Sequence, residues 1–310
     1  MAEPYVLVVG MSCLDMKGRA SDQLLPGTSV PGTVRVSHGG VGRNIAENLA
    51  RLGVRTALIS AVGEDRSGQR ILAQATEVGI ETEGMVVVPG TSTGAYLALL
   101  HPDGTRAYAI DDTHIGASIT PRHITNHRRL MRDATMAVVD ANVSPAALTT
   151  LFRLAGQYGV PVCADSTSVA LAPRLQPHLS QLLLITPNVR EAEILCQQRI
   201  KTGDRDAALA ACRCMVAQGV QTAVITMAEE GLCYATLHES GYVPALLTEV
   251  IDPTGGGDAL TAAIVFALLN QIPVSEAMRL GCSAASLTIA CDQTVVPGLT
   301  LELLYDHLSV

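Results

Sequence analysis

The sequence predicts an α/β fold, built from βαβ units around a mostly parallel central sheet, with a small β-sheet projecting from it. Three observations predict it. Short apolar runs rich in Val and Ile alternate with longer stretches of helical period. The helical stretches end at glycines, and two segments break the rhythm without helices of their own. With 310 residues, 48% of them hydrophobic and 16% charged, the chain can bury a large core and is too apolar to stay disordered.

The strand candidates are YVLVVG (5–10), TALISAVG (56–63), MAVVD (136–140), VPVCAD (160–165), LLLIT (182–186) and TAVITM (222–227). Near-continuous apolar runs of this length are what strands buried on both faces look like. Between them RNIAENLARLG, DRSGQRILAQATEVG, SPAALTTLFRLAGQYG and DRDAALAACRCMVAQG read as helices, several opening on a capping Asp, Ser or Asn. Residues 16–36, rich in Gly, Pro and Thr, and residues 94–111 interrupt this layer. In the second, AYLALL and RAYAI flank HPDG, where Asp103 and Gly104 supply a tight turn. Both segments are expected to form a small sheet that covers a site. After residue 252 helix follows helix: ALTAAIVFALLNQ, VSEAMRLGCSAASLTIAC and LTLELLYDHL.

Charge narrows the function. A net charge of −8 and no basic run argue against nucleic acid or an anionic membrane as partner, leaving small molecules. The start, MAEPYVLVVGMSCLD, has an acidic residue where a secretory leader needs positive charge, and no apolar stretch is long enough to span a membrane. Eight cysteines are scattered without CxxC pairs, the pattern of reduced core residues in a cytoplasmic protein. Cys212 and Cys214, two apart on a helix, point to different faces and form no metal site.

The segment DPTGGGDAL (252–260) places three glycines directly before an apolar helix. A P-loop is excluded: the chain has two lysines, Lys17 and Lys201, and neither follows a glycine. A dinucleotide fingerprint fits poorly, since its third glycine falls on Ile45 or Leu260. An anion site at a helix N-terminus remains, where unpaired NH groups converge and Gly255, Gly256 and Gly257 let a phosphate approach. Asp258 is then either the acceptor of an attacking hydroxyl's proton or a plain N-cap, and the residues alone leave the two even. In HGGVGRNIAENLARLG (38–53), Gly39, Gly40 and Gly42 permit a close approach, and Asn44 is either a sugar-hydroxyl partner or a cap. Asp15 follows the first strand, where α/β ligands bind, although turns also use Asp there. In TPNVREAEIL (186–195), Asn188 and Glu191 share a helix face, as a capping box or as a way for Glu191 to hold hydrated magnesium.

Taken together, GG then N-x-A near residue 40, N-x-x-E near 190 and D-x-T-G-x-G-D near 255 resemble the ribokinase-like (PfkB) family of sugar and nucleoside kinases over the whole chain. The resemblance implies one three-layer α/β/α domain over 1–310, with lid segments 16–36 and 94–111 inserted. It implies ATP and magnesium, Asp258 as catalytic base and the NH groups of 255–258 as its anion hole. Asp15, Gly40 and Asn44 match positions that hold sugar hydroxyls. Asn188, Thr226, Gly231 and the helix around Ser283 match the nucleotide side, and Glu191 the magnesium side. Asp252 and Thr254 match a monovalent cation site, so potassium is implied. Three positions depart: Gly256 where alanine is usual, Cys13 for asparagine and Ala228 for glycine.

Within the family, PGTVRVSHGGVGRNIAENLARLG, SAVGEDRSGQ and PGTSTGAYLALLHPDGTRAYAIDD look most like bacterial pseudouridine kinases, which implies phosphorylation of that nucleoside's 5′-hydroxyl. The alternatives are a free sugar such as ribose, another nucleoside, or a catalytically silent metabolite sensor. With no Trp, two Phe and seven Tyr, a base would be read largely by hydrogen bonds. Exposed lid edges imply pairing with a second copy, a homodimer through the lid.

Overall fold

In this computed structural model, which describes residues 5 to 309, the first strand explains its own apolar run. Val6 and Val8 pack with Ile45, Leu49 and Ile264 on one face of the sheet, while Leu7 and Val9 pack with Ile115, Leu148 and Leu151 on the other. Successive side chains of a strand face opposite ways, so a strand covered on both faces must be apolar throughout. The acidic start at Glu3 lies outside the described residues.

In chain order the strands are β1 (Tyr5–Val9), β2 (Cys13–Ala20), β3 (Gly32–Gly39), β4 (Arg55–Ile59), β5 (Ala61–Gly63), β6 (Val86–Val88), β7 (Ala95–Leu100), β8 (Arg106–Asp112), β9 (Met136–Asp140), β10 (Val162–Asp165), β11 (Leu182–Ile185), β12 (Thr222–Thr226), β13 (Leu232–Thr236) and β14 (Ser240–Val243). The helices are α1 (Val41–Arg51), α2 (Arg66–Glu77), α3 (Pro121–Asn126), α4 (Arg128–Asp133), α5 (Pro145–Tyr158), α6 (Val189–Cys196), α7 (Arg205–Ala217), α8 (Gly256–Leu269), α9 (Val274–Ile289) and α10 (Leu301–Leu308).

The main sheet runs β14-β13-β12-β11-β10-β9-β1-β4, parallel from β12 to β4 and antiparallel at the β13 and β14 edge. Helices α1, α8, α9 and α10 cover one face; α5, α6 and α7 cover the other. Helix α8 is buried along most of its length, which is why its sequence shows no polar face.

The sequence runs at 136–140, 160–165 and 222–227 match β9, β10 and β12 to within two residues. TALISAVG divides instead: β4 joins the main sheet, and after Ser60 β5 pairs with β6 in a separate ribbon. The β13–β14 hairpin has no counterpart among the predicted strands.

The chain leaves β1 for β4 on one side and returns as β9 on the other, creating a switch point whose crevice lies at the strands' carboxyl ends. Asp140 at the end of β9 fastens it. Its Oδ2 accepts the NH groups of Met11 and Gly42, both at 2.8 Å, and its Oδ1 accepts Asn142 NH at 2.9 Å. Gly10 and Gly42 meet backbone to backbone here, leaving no room for a Cβ on either.

The two interrupting segments form a four-stranded sheet, β3-β2-β7-β8. It begins at Cys13 and reaches Gly39, so it is wider than residues 16–36, and Asp15 is a strand residue within it rather than a turn residue. The β7–β8 hairpin closes where Gly104 NH meets His101 O at 2.9 Å. One face carries Asp15, Lys17 and Tyr96 toward the crevice. The other carries Val34, Val36, Leu97, Leu99, Tyr108 and Ile110, all exposed, in two registered rows across the sheet.

Candidate active site

The glycine triplet becomes the first turn of α8. Gly255 is its N-cap, with φ 87°, and no side chain caps the helix, so the following NH groups are free for an anion. A Cβ on Gly255 would strike Thr294 O. One on Gly256 would come within 2.8 Å of Ile289 Cγ2, so the alanine usual at that place would require Ile289 to move. A Cβ on Gly257 would meet nothing within 4 Å; that open side is where an anion fits.

Asp258 follows in the same turn and is not the cap. It is buried, and Asn44 Nδ2 donates to its Oδ2 at 2.7 Å. Burial pushes its carboxyl up to about 7; the Asn44 hydrogen bond opposes this, while Asp15 and Asp140 add to it. A carboxyl poised there changes state near neutral pH, as a general base should. Asn44 is not a cap either: α1 starts at the Gly40 N-cap, four residues earlier. Its Oδ1 accepts Arg43 Nη1 at 2.7 Å. Arg43 is itself buried, paired with Glu47 and bonded to His38 O at 2.8 Å.

Asp258, Asn44, Gly40 and Asp15 line one cavity of about 220 Å³, together with Tyr96 and Arg106 from the lid. Burial, opposed by Lys17 and by the Cys13 thiol, pushes the Asp15 carboxyl up to about 6. Cys13 Sγ donates to Asp15 Oδ1 at 3.6 Å, so the cysteine keeps a weak version of the donor that asparagine would offer. Arg106 Nη1 donates to Tyr96 Oη at 2.9 Å, and Asn142 and Thr167 close the far wall.

On the other side of Asp258, Asn188 and Glu191 form a capping box on α6. Glu191 N donates to Asn188 Oδ1 at 3.1 Å, and Asn188 N to Glu191 Oε2 at 3.0 Å. Ser166 Oγ adds a bond to Glu191 Oε2 at 2.7 Å. Asp165 at the end of β10 is buried; burial raises its pKa, and Asp258 and Glu191 raise it further. Thr261, one turn along α8, donates to Asp165 at 3.3 Å and meets Thr186 at 2.7 Å. A cluster of acids this dry is held against its own repulsion, and a hydrated divalent cation beside it would relieve that. Among the described residues no group of three or more His, Cys, Asp or Glu side chains is placed to hold a metal ion.

Thr226 ends β12 next to Asn188. Gly231 closes the following loop with φ 92° and has Val243 O where a Cβ would go. Ala228 adopts φ 51°, so the backbone keeps the left-handed turn that glycine usually makes there.

Ser283 is a correction. It is fully buried between α9 and α10, where its hydroxyl donates to Leu304 O at 2.8 Å, so its side chain does not reach the site. Asp252 and Thr254 do adjoin the glycine turn, but the Asp252 carboxylate is already taken by Lys17 Nζ at 2.6 Å. Sequence reasoning missed Arg43, Asp140, Asp165 and Lys17. Asp140 and Asp165 carried a signal, a carboxylate closing an apolar strand; Lys17 carried none.

A helix N-terminus open to anions, a carboxylate in its first turn and a lidded polar cavity are the parts that phosphoryl transfer on an α/β fold requires. The pfkB family of carbohydrate kinases matches residues 3–300, and the chain belongs to that family. It is 33% identical over 298 residues to the pseudouridine kinase of Escherichia coli, covering 96% of this chain and 94% of that one. The structure of a carbohydrate kinase from Agrobacterium tumefaciens superimposes with a TM-score of 0.81 at 27% identity, over 99% and 97% of the two chains. Arabidopsis thaliana ribokinase, solved with ribose and ATP, gives 0.84 at 21% identity with full coverage of both, and so shares the ribokinase-like fold. The chain is therefore a phosphotransferase with an alcohol group as acceptor. No helix among the described residues is long and apolar enough to cross a membrane.

Proposed function

We propose that the protein is an ATP- and magnesium-dependent kinase that phosphorylates the 5′-hydroxyl of pseudouridine, giving pseudouridine 5′-phosphate and ADP. The observation that carries the transfer chemistry is Asp258, held by Asn44 beside the free NH groups of the glycine turn. In this reading Asp258 accepts the proton of the acceptor hydroxyl, and the NH groups of 256–258 stabilise the charge on the transferring phosphoryl group. Asp15 and Gly40 hold ribose hydroxyls. Asn44 serves first to orient the base, because both ends of its amide are engaged.

Magnesium supplies charge neutralisation on the nucleotide phosphates, and Glu191 and Asp165 are the residues that would hold its water shell. Asn188, Thr226 and Gly231 bound the nucleotide groove. A nucleoside rather than a free sugar is favoured by Tyr96 and Arg106, which line the cavity together with the hydroxyl-binding residues. The same reading takes residues 1–310 as one kinase domain working in the cytoplasm. Its exposed apolar lid rows pair with those of a second copy, since a self-complementary face closes a two-fold dimer.

The test is ADP release with ATP and magnesium, compared across pseudouridine, uridine, adenosine and ribose at equal concentration. A lead of about a hundredfold for pseudouridine, about 2.7 kcal/mol in the transition state, is expected. A lead for ribose or another nucleoside keeps the transfer chemistry and overturns the acceptor. Ligand binding without ADP from any acceptor would favour a sensor.

A further inference from the structure

The lid points its one lysine inward. Lys17 stands on β2 two residues after Asp15, on the same face, and its Nζ donates to Asp252 Oδ2 at 2.6 Å across 235 residues of chain. The two side chains are only 9% and 15% exposed, so this is not the solvated surface pair that contributes little. Asp252 uses its other oxygen for Thr254 NH at 2.9 Å, and Thr254 leads directly into Gly255, the N-cap of α8. Its own NH is bonded to Ile289 O at 3.1 Å, anchoring the turn on the end of α9. One carboxylate thus joins the lid to the turn that carries the anion hole.

The monovalent cation implied at Asp252 and Thr254 does not fit this arrangement. The carboxylate is already matched by a full positive charge, and a second cation placed against it would face the ammonium group at close range. We propose that Lys17 is a positioning residue whose ammonium group takes the place of a monovalent metal ion at Asp252, so that the anion-hole turn is held in register by the lid and the enzyme works without potassium. The inference rests on the kinase reading above. It makes the lid a second contributor to transfer, because the charge arrives with the strand that also brings Asp15 to the acceptor.

The test compares wild type, Lys17→Ala and Lys17→Arg with tetramethylammonium as the background cation, with and without added potassium or propylammonium. Wild type is expected to turn over equally with and without potassium. Lys17→Ala should lose about 10- to 100-fold in kcat, the scale of a misplaced reacting group, and regain part of it when either potassium or propylammonium is added. Lys17→Arg should retain more activity than the alanine variant. Potassium stimulation of wild type, full activity of Lys17→Ala in tetramethylammonium, or a loss that neither cation restores would each overturn the proposal. If no acceptor is phosphorylated, the kinase reading fails, and melting temperatures decide the cation question separately. Potassium raising the melting temperature of Lys17→Ala but not of wild type supports it, and any other pattern overturns it. Should Lys17→Ala fail to fold, the wild-type response to potassium decides alone.

Discussion

The main sheet buries both faces under helices, whereas the lid sheet turns a charged row toward the cavity and an apolar row toward solvent. The chemistry follows that division. Asp258 and the glycine turn sit on α8, locked between α1 and α9, while Asp15, Tyr96 and Arg106 sit on strands whose outer face no other described element of the chain covers. On the proposed roles, the transfer machinery, which needs fixed geometry, lies in the packed layer, and acceptor choice lies in the layer with least support.

The sharpest way to break this contrast is Asp258→Asn, expected to reduce kcat by about 10²- to 10⁴-fold with acceptor affinity nearly kept; an unchanged kcat would remove the residue as base. In wild type, kcat/KM should rise with pH toward a plateau above about 7, as Asp258 loses its proton. Stability should move oppositely. A carboxyl whose folded pKa is raised contributes stability at low pH that is lost as pH rises through that value. Asp258→Asn should therefore melt higher than wild type at pH 8 and gain nothing at pH 4, as calorimetry would record.

Gly257→Ala separates catalysis from folding within the packed layer. Its methyl enters the open side of the turn, so kcat should fall on the order of 10²-fold while stability rises by about 0.5–1 kcal/mol, the usual helix preference. A normal kcat would mean that the phosphoryl group lies elsewhere. In the lid, Tyr108→Glu should weaken the dimer by at least about 30-fold, the loss of an interface anchor of about 2 kcal/mol, without altering ATP affinity. Light scattering checks it, and an undisturbed dimer would place the interface elsewhere. The smallest effect is expected from Ala228→Gly, which relieves a left-handed alanine and should stabilise by about 0.5–1 kcal/mol in denaturant melts.

Much of the packed layer was legible because its signals are local. Apolar runs located β9, β10 and β12 to within two residues, and the glycine triplet announced a helix N-terminus. The rest depended on pairs distant in sequence. Asn44 and Asp258 are 214 residues apart, and a lone lysine in a strand looks like any solvated charge until Asp252 is opposite it. The β13–β14 hairpin escaped because the βαβ rhythm ends before it, and TALISAVG hid a change of sheet at Ser60. Ser283 failed for another reason: helical phase turned that side chain toward α10, where its hydroxyl bonds Leu304 O.

Asp140 has a consequence on the timescale of solvent exchange. With three amides, from the segment after β1, from α1 and from the segment after β9, bound to one buried carboxylate, the NH protons of Met11 and Gly42 can reach water only when the switch point itself opens. They should exchange with deuterium at the rate of global unfolding. The outward-facing amides of β3 and β8, at the free edges of the lid, should exchange by smaller openings that leave the floor of the cavity intact. The acceptor would then meet a floor that opens only with the whole fold and a roof that opens on its own.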